Sequence, residues 1–348
     1  MPLSTDTTYD SREAVSLLHD QFVLTFRHMM AARVLEDRLA ALYRAGGKIV
    51  GGVYVGRGQE AYSASLAVQL IKGQDVYSGL IRDQAGKLAF GEPMLDCTRT
   101  YLGSAFGPTR GRDGNVHRGR PREGMPAMIS HLGSNISVVS GMLMARRLQG
   151  RLGDAVGAAC MGEGATSTGS FHEALNMAAV EKLPLILAVA NNQFAYSTPN
   201  SRQFACAHLV DRAIGYGVEG HQVDGTDLDA CLTVFQTAVS RARAGHGPQL
   251  VIGSLLRLSG HGEHDDASYV PASMKKGPLS VDCLVKAEQA MLERSWMSEE
   301  EIAQLRENCV REVDKAFAQT AHEPAPDPFR EPWNALSTPW LEESWEAT

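Results

Sequence analysis

Two stretches decide the fold. The first is Ala155-Val156-Gly157-Ala158-Ala159-Cys160-Met161, closed by Gly162-Glu163-Gly164-Ala165. The second runs from Leu185 to Ala190 and is closed by Asn191-Asn192-Gln193-Phe194. Each run is apolar, short and bounded by turn residues, the pattern of a strand buried on both faces. A helix is expected between them, over about 169–182. A third run, Leu250-Val251-Ile252-Gly253-Ser254-Leu255-Leu256, follows a helix expected over 228–244. Further helices are expected over about 134–149 and 204–216. Short apolar strands alternating with helices predict an α/β fold: a parallel sheet covered by helices on both faces, in three α/β/α layers.

This arrangement has a chemical consequence. In a right-handed βαβ unit the carboxyl ends of both strands lie on one edge of the sheet. Ligands of open α/β sheets bind at that edge. Glu163 and Asn192, distant in sequence, should therefore converge. Gly162 and Gly164 let backbone approach a ligand, and the following helix N-terminus favours a phosphate. A carboxylate, an amide oxygen and a backbone carbonyl are hard donors; with diphosphate oxygens and water they suit an octahedral Mg²⁺. A nicotinamide dinucleotide is the rival ligand. The pattern Gly162-x-Gly164-x-x-x-x-Gly169 departs from G-x-G-x-x-G, and the second strand ends in amides where a ribose-binding acid is expected.

Outward from this unit, Val15, Leu18, Phe22, Phe26, Met29 and Met30 recur at helical spacing and predict a helix over 12–44, stopped by Gly46-Gly47. Helices are expected near 59–71 and 83–91. The Gly-, Arg- and Pro-rich stretch from Gly103 to Pro126 reads as a long functional loop. After Gly260 the chain is polar to about 278; helices follow over 281–295 and 299–319, the second opened by the capping box Ser298-x-x-Glu301. The Pro-rich segment from Glu323 to Pro339 should run extended over the surface. The chain divides into a helical extension (1–48), an α/β core (49–277) and C-terminal helices with a tail (278–348).

Composition removes several classes. The 348 residues carry 33 basic and 40 acidic side chains, a net charge of −7, against a general nucleic-acid binder. No apolar run reaches the ~20 residues of a bilayer-crossing helix. The six cysteines are scattered, without a C-x-x-C pair, so reduced thiols are expected rather than disulfides or a zinc site. The opening MPLSTDTTYDSREAV has neither the apolar region of a secretory signal nor an Arg-rich transit character, and a cytoplasmic location is expected.

The stretch GEGATSTGSFHEALNMAAVEKLPLILAVANNQFAYSTP, residues 162–199, resembles the thiamin diphosphate motif in α subunits of 2-oxo acid dehydrogenase E1 components. That motif opens with Gly-Asp-Gly or Gly-Glu-Gly and closes with Asn-Asn. Gly58-Gln59-Glu60-Ala61, Arg82 with Leu88-Ala89-x-Gly91, Gly111-Arg112, Val116-His117, Ile129-Ser130-His131-Leu132, Val223-Asp224-Gly225-x-Asp227 and Arg257-x-x-Gly260-His261-x-x-x-Asp265-Asp266 resemble further family segments in consistent order, over about 50–270. The resemblance implies a thiamin diphosphate-binding fold. It implies Mg²⁺ on Glu163, Asn192 and the backbone carbonyl of Phe194, and cofactor contacts from Arg82, Ser130, Leu132, Gly164, Ala165 and Arg257. His261 would be the catalytic proton donor near the reacting carbonyl. The implied activity is oxidative decarboxylation of a 2-oxo acid, with acyl transfer to the lipoyl group of an E2 partner. A separate E1 β subunit would complete an α₂β₂ heterotetramer.

Glu163, Asp265-Asp266 and Ala195-Tyr196-Ser197-Thr198-Pro199 lean towards the branched-chain members, of 3-methyl-2-oxobutanoate type. Pyruvate and acetoin dehydrogenase α subunits are the alternatives within the family; a non-catalytic paralogue and a dinucleotide-dependent oxidoreductase lie further off. Departures are Ile81, where a Tyr or Phe is usual, Gln84-Ala85, Ala190, where branched-chain relatives carry Arg, and Gly253, where a Glu is frequent. They bear on how firmly a diphosphate is gripped. Gly262 follows His261 where animal enzymes carry a phosphorylatable Ser, which removes kinase control through that residue.

Overall fold

Helix α1, Ser11–Ala45, opens the chain and stops at Gly46 and Gly47, whose positive φ angles of 78° and 81° break the helical path. The computed structural model describes residues 11–49, 51–113 and 116–330. Helix α2 (Glu60–Ala67), the first strand, β1 (Val76–Ser78), and helices α3 (Gln84–Phe90) and α4 (Met94–Tyr101) follow in order. Then α5 (Ser134–Leu148), β2 (Gly157–Gly162), α6 (Gly169–Val180) and β3 (Leu185–Asn191) follow in the expected alternation. A small hairpin of β4 (Phe194–Ala195) and β5 (Thr198–Pro199) leads to α7 (Arg212–Tyr216), β6 (Glu219–Asp224), α8 (Leu228–Arg243) and β7 (Gln249–Ser254). The helices α9 (Ala272–Lys275), α10 (Cys283–Glu293) and α11 (Glu299–Ala321) complete the described chain.

The five main strands are parallel and ordered β1-β2-β3-β7-β6. Alternate side chains go to opposite faces, as the pleat requires. Ala158, Cys160, Ile186, Ala188, Ala190 and Val251 pack with Phe235 and Val239 of α8 and with Tyr62 and Leu66 of α2. Ala159, Met161, Leu185, Leu187, Val189 and Ile252 pack with α5, α6 and Ala213 of α7. The connection β2-α6-β3 advances across the sheet, whereas β6-α8-β7 returns. Right-handed crossovers of opposite direction must use opposite faces, and α6 and α8 do. Beyond the α2 and α8 layer, Phe22, Phe26, Met29 and Met30 of α1 pack with Ala61, Ala85, Leu228, Cys283 and Ile302, so α1, α10 and α11 are seated on the core.

The expected capping box is present: Glu301 N donates to Ser298 Oγ at 3.2 Å, and Ser298 N to Glu301 Oε2 at 2.8 Å. All six cysteines are free. Among the described residues no helix is long and apolar enough to cross a membrane.

Several expectations need correction. The helix expected over 204–216 is confined to Arg212–Tyr216 behind a tight turn at Leu209–Asp211. The preceding residues 204–208 form no helix. The helix expected over 59–71 ends at Ala67. Strands β1 and β6 and helix α4 had no assignment: β1 has three residues, and the edge strand Glu219-Gly220-His221-Gln222-Val223-Asp224 buries only Val223. The start of the Pro-rich tail is tied down, with Ala105 N donating to Pro324 O at 2.8 Å and Arg99 paired with Glu323. Its continuation over 331–339, like the side chain of Val15, lies outside the described residues.

Candidate functional site

The loops after β1, β2, β3 and β7 meet at the carboxyl edge of the sheet around a cavity of about 330 Å³. The first supplies Arg82, the second Glu163, Gly164 and Ala165, the third Asn192 and Phe194, and the fourth Arg257 and His261. Leu80, Ile81, Met128, Leu132 and Met161 form its apolar wall. The predicted convergence of Glu163 and Asn192 is thus found. It follows from register: Gly162 pairs with Ala190, so both strands end level.

Glu163 is only 1% exposed. Its carboxylate accepts from Asn192 N (3.2 Å to Oε2) and from Gln203 Nε2 (3.1 Å to Oε1). Burial raises its pKa; the hydrogen bonds from Gln203 and Asn192, and the charge of Arg257, oppose that rise. Among the described residues no Lys, Arg or His lies within ion-pair distance of it. The chain then turns through Gln193, whose φ of 77° is left-handed, and Phe194 N approaches Asn192 Oδ1 at 3.4 Å. The Phe194 ring is buried with Leu256, Ala267 and Val270. Its carbonyl accepts from Arg257 Nη1 at 3.3 Å, which leaves a second lone pair. A buried carboxylate without a cationic partner, beside amide and carbonyl oxygens, fits a hard divalent cation.

The two arginines fit an anion. Arg82 donates to Val55 O at 3.0 Å, and Arg257 to Ser259 O at 3.1 Å, to Tyr196 O at 2.9 Å and to the Tyr269 hydroxyl. Among the described residues neither meets a carboxylate at ion-pair distance. Both are buried, and burial together with the nearby Arg257 charge pushes Arg82 down to about 10. Two un-neutralised guanidinium groups in a low-dielectric cavity favour a polyanion such as a diphosphate, through charge-assisted hydrogen bonds.

His261 lies against Arg82, whose Nη2 is 3.3 Å from Nδ1 of the imidazole. Burial first, then Arg82 and Arg257, lowers its pKa to about 4. The ring is therefore neutral near pH 7. With Nδ1 facing a donor, the proton resides on Nε2. The expected proton donor is thus a neutral hydrogen-bond donor rather than an imidazolium acid. Tyr196 and Tyr54 enclose it, with ring centroids 4.5 Å and 5.4 Å away. Asp265 anchors its backbone by accepting from His261 N.

Leu132 lines the cavity and is 49% exposed at its mouth. Ser130 does not line it; its exposed hydroxyl bonds the ring of His117. Gly164 is required by the hairpin, because a Cβ there would lie 2.5 Å from that of Ala195. Of the departures, Ile81 faces the cavity. Gln84 turns away, donating to Glu92 at 2.9 Å and accepting from Arg118. Ala190 sits in the core against the α2 and α8 layer. Sequence reasoning missed Gln203, Tyr54 and Tyr196. Tyr196 lay inside the quoted motif, and its left-handed φ of 52° marks the hairpin corner; nothing in the sequence pointed to Gln203.

An open parallel sheet whose carboxyl edge gathers an oxygen set suited to a cation beside two buried arginines is the arrangement of a cofactor-dependent α/β enzyme. Residues 27–329 match the Dehydrogenase E1 component family, and the chain belongs to that family. The family is thiamin diphosphate-dependent and uses a divalent cation. The chain is 31% identical over 331 residues to 2-oxoisovalerate dehydrogenase subunit alpha of Bacillus subtilis (strain 168), covering 93% of this chain and 96% of the relative. It is 31% identical over 306 residues to pyruvate dehydrogenase E1 component subunit alpha of Rhizobium meliloti (strain 1021), covering 86% of each. Over 113 residues it is 50% identical to 3-methyl-2-oxobutanoate dehydrogenase subunit alpha of Mycobacterium tuberculosis (strain CDC 1551 / Oshkosh), covering 32% of this chain and 31% of the relative.

Proposed function

We propose that this chain is the α subunit of a 2-oxo acid dehydrogenase E1, with a branched-chain 2-oxo acid of 3-methyl-2-oxobutanoate type as the favoured substrate. One observation carries the reading: four strand-end loops bring Glu163, Asn192, the Phe194 carbonyl, Arg82 and Arg257 to one cavity. In this reading Glu163, Asn192 and Phe194 O hold Mg²⁺, and Arg82 and Arg257 hold the diphosphate. When bound, thiamin diphosphate supplies the carbanion and electron sink for loss of CO₂. Gly164 and Ala165 offer backbone to the diphosphate, and the apolar wall excludes water. His261 presents an Nε2 proton towards the acyl group. The apolar side chains of Leu80, Ile81, Met128 and Leu132, and the names of two of the relatives, support a branched aliphatic substrate; pyruvate and acetoin are the alternatives.

The cavity opens beside Leu132 and Tyr196, which leave apolar surface at its mouth. We assign that side to an E1 β subunit in an α₂β₂ heterotetramer, with the lipoyl group of E2 arriving near His261. Residues 49–277 would hold the site, while 1–48 and 278–348 would add subunit contacts; the place of action would be the cytoplasm. The test is calorimetric titration of thiamin diphosphate into the chain with its β subunit, with and without Mg²⁺, followed by a panel of branched 2-oxo acids, pyruvate and acetoin. Binding that needs Mg²⁺ and turnover of branched acids are expected. Cofactor binding indifferent to Mg²⁺ would overturn the site, and preference for pyruvate or acetoin would overturn the substrate.

A further inference from the structure

Gln203 is the one side-chain donor to the buried Glu163 carboxylate among the described residues. Its Nε2 donates twice, to Glu163 Oε1 at 3.1 Å and to Thr198 O at 2.8 Å. Both partners are pure acceptors, so the nitrogen must face them, and the amide orientation follows from chemistry rather than choice. The amide oxygen is thereby forced to the other side. There it is buried without a hydrogen-bond partner, on the side of Gly164, 3.3 Å from where a Cβ at that glycine would stand. A buried acceptor left open in this way calls for a donor. The residue itself is tied down: Ser167 Oγ donates to Gln203 O at 2.7 Å, and Gln203 N donates to Asn200 O at 3.0 Å. The short turn Asn200–Arg202 after the β4–β5 hairpin, just ahead of the segment where a helix was expected, is what brings it here.

We infer that Gln203 is a positioning residue of the metal site: its amide nitrogen fixes the Glu163 carboxylate, and its open Oε1 accepts from a water on the cation. The inference rests on the proposed role of Glu163 as a metal ligand. The physical need is specific to a glutamate. Glu163 has one more side-chain torsion than an aspartate would, and apart from the Asn192 N–H no other hydrogen bond or ion pair among the described residues restrains its carboxylate. Outer partners of metal ligands typically contribute 10–100-fold in affinity.

The test uses the full chain with its β subunit and measures Mg²⁺ affinity by calorimetry at saturating thiamin diphosphate. Gln203→Met keeps the volume and removes both functions; Mg²⁺ binding should weaken by roughly 10–100-fold. Thermal melting without metal should stay close to wild type. In a Glu163→Asp background, where the carboxylate is withdrawn from Gln203, adding Gln203→Met should cost less than about three-fold, a non-additivity expected only of coupled partners. Should Gln203→Met fail to fold, Gln203→Asn, which shortens the amide, takes its place in the same measurements. Unchanged Mg²⁺ affinity in these variants, while Glu163→Ala abolishes it, would overturn the role of Gln203 alone. Full Mg²⁺ affinity in Glu163→Ala would overturn the ligand reading on which it rests. Equal losses in both backgrounds would mark a purely structural residue and reject the inference.

Discussion

The Arg82 guanidinium lies 3.3 Å from Nδ1 of His261, across 179 residues of sequence. Arg82 follows β1 and His261 follows β7, so the sheet edge brings a permanent cation against a titratable ring. Burial first, and then this contact, hold His261 neutral, and the contact selects its tautomer. It also fixes the sign of a measurement. Replacing Arg82 by Leu removes a like charge, so the pKa of His261 should rise from about 4 towards its ordinary 6.5. An NMR titration of the imidazole checks this; an unmoved or lower value would contradict the electrostatic account.

His261→Ala should change stability by less than about 1 kcal/mol, because the residue sits in a loop between glycines. Transfer to a lipoyl acceptor should fall by roughly 10²–10⁴ if His261 presents the proton. Decarboxylation read with an artificial electron acceptor should fall less. The quantity to measure is the ratio of the two activities, variant against wild type. Wild-type activity should also show no limb near pH 6.5 arising from this residue.

Glu163→Ala and Asn192→Ala should each abolish Mg²⁺-dependent binding of thiamin diphosphate. Both side chains are buried, and the Asn192 backbone N–H, which donates to Glu163 Oε2, supplies no oxygen in place of the lost amide. Calorimetry on the assembled protein reads this directly, and undiminished affinity in either variant counts against the site.

Gly253 is required by packing rather than by backbone conformation. A Cβ there would stand 2.4–2.5 Å from ring carbons of Tyr62, and that ring is pinned by its hydroxyl donating to Val251 O at 2.8 Å. Gly253→Ala should destabilise the fold by about 1–3 kcal/mol. Urea unfolding followed by circular dichroism measures the cost.

His28, on α1, is held down to about 4 by burial and by Arg27. The unfolded chain takes up its proton below about 6.5, while the folded chain resists until about 4. The stability linked to this residue is therefore complete above pH 6.5 and is lost as pH falls towards 4. His28→Gln should flatten the melting temperature across that window, and an identical pH dependence in the variant would exclude the linkage.

Much of this protein was legible as sequence. The runs ending at Met161 and Ala190 are buried on both faces, so every residue in them is apolar or glycine and the strands announce themselves. Glu163 and Asn192 followed, because parallel strands joined by one helix must end on the same edge. Helix α1 and the cap at Ser298 were readable because spacing and capping are local properties. What tertiary structure alone decided is non-local. Edge strand β6 buries one side chain and carries no apolar run, so only its pairing with β7 makes it a strand. Ser130, within a stretch resembling a cofactor segment, turned to His117 because neighbours rather than local sequence orient an exposed hydroxyl. Gln203 reached Glu163 only because the β4–β5 hairpin and the turn at Asn200–Arg202 bring it back to the end of β2. The charge state of His261 was out of reach for the same reason: a pKa is set by burial and by charges close in space, and its two cationic neighbours come from distant or separately folded turns of the chain.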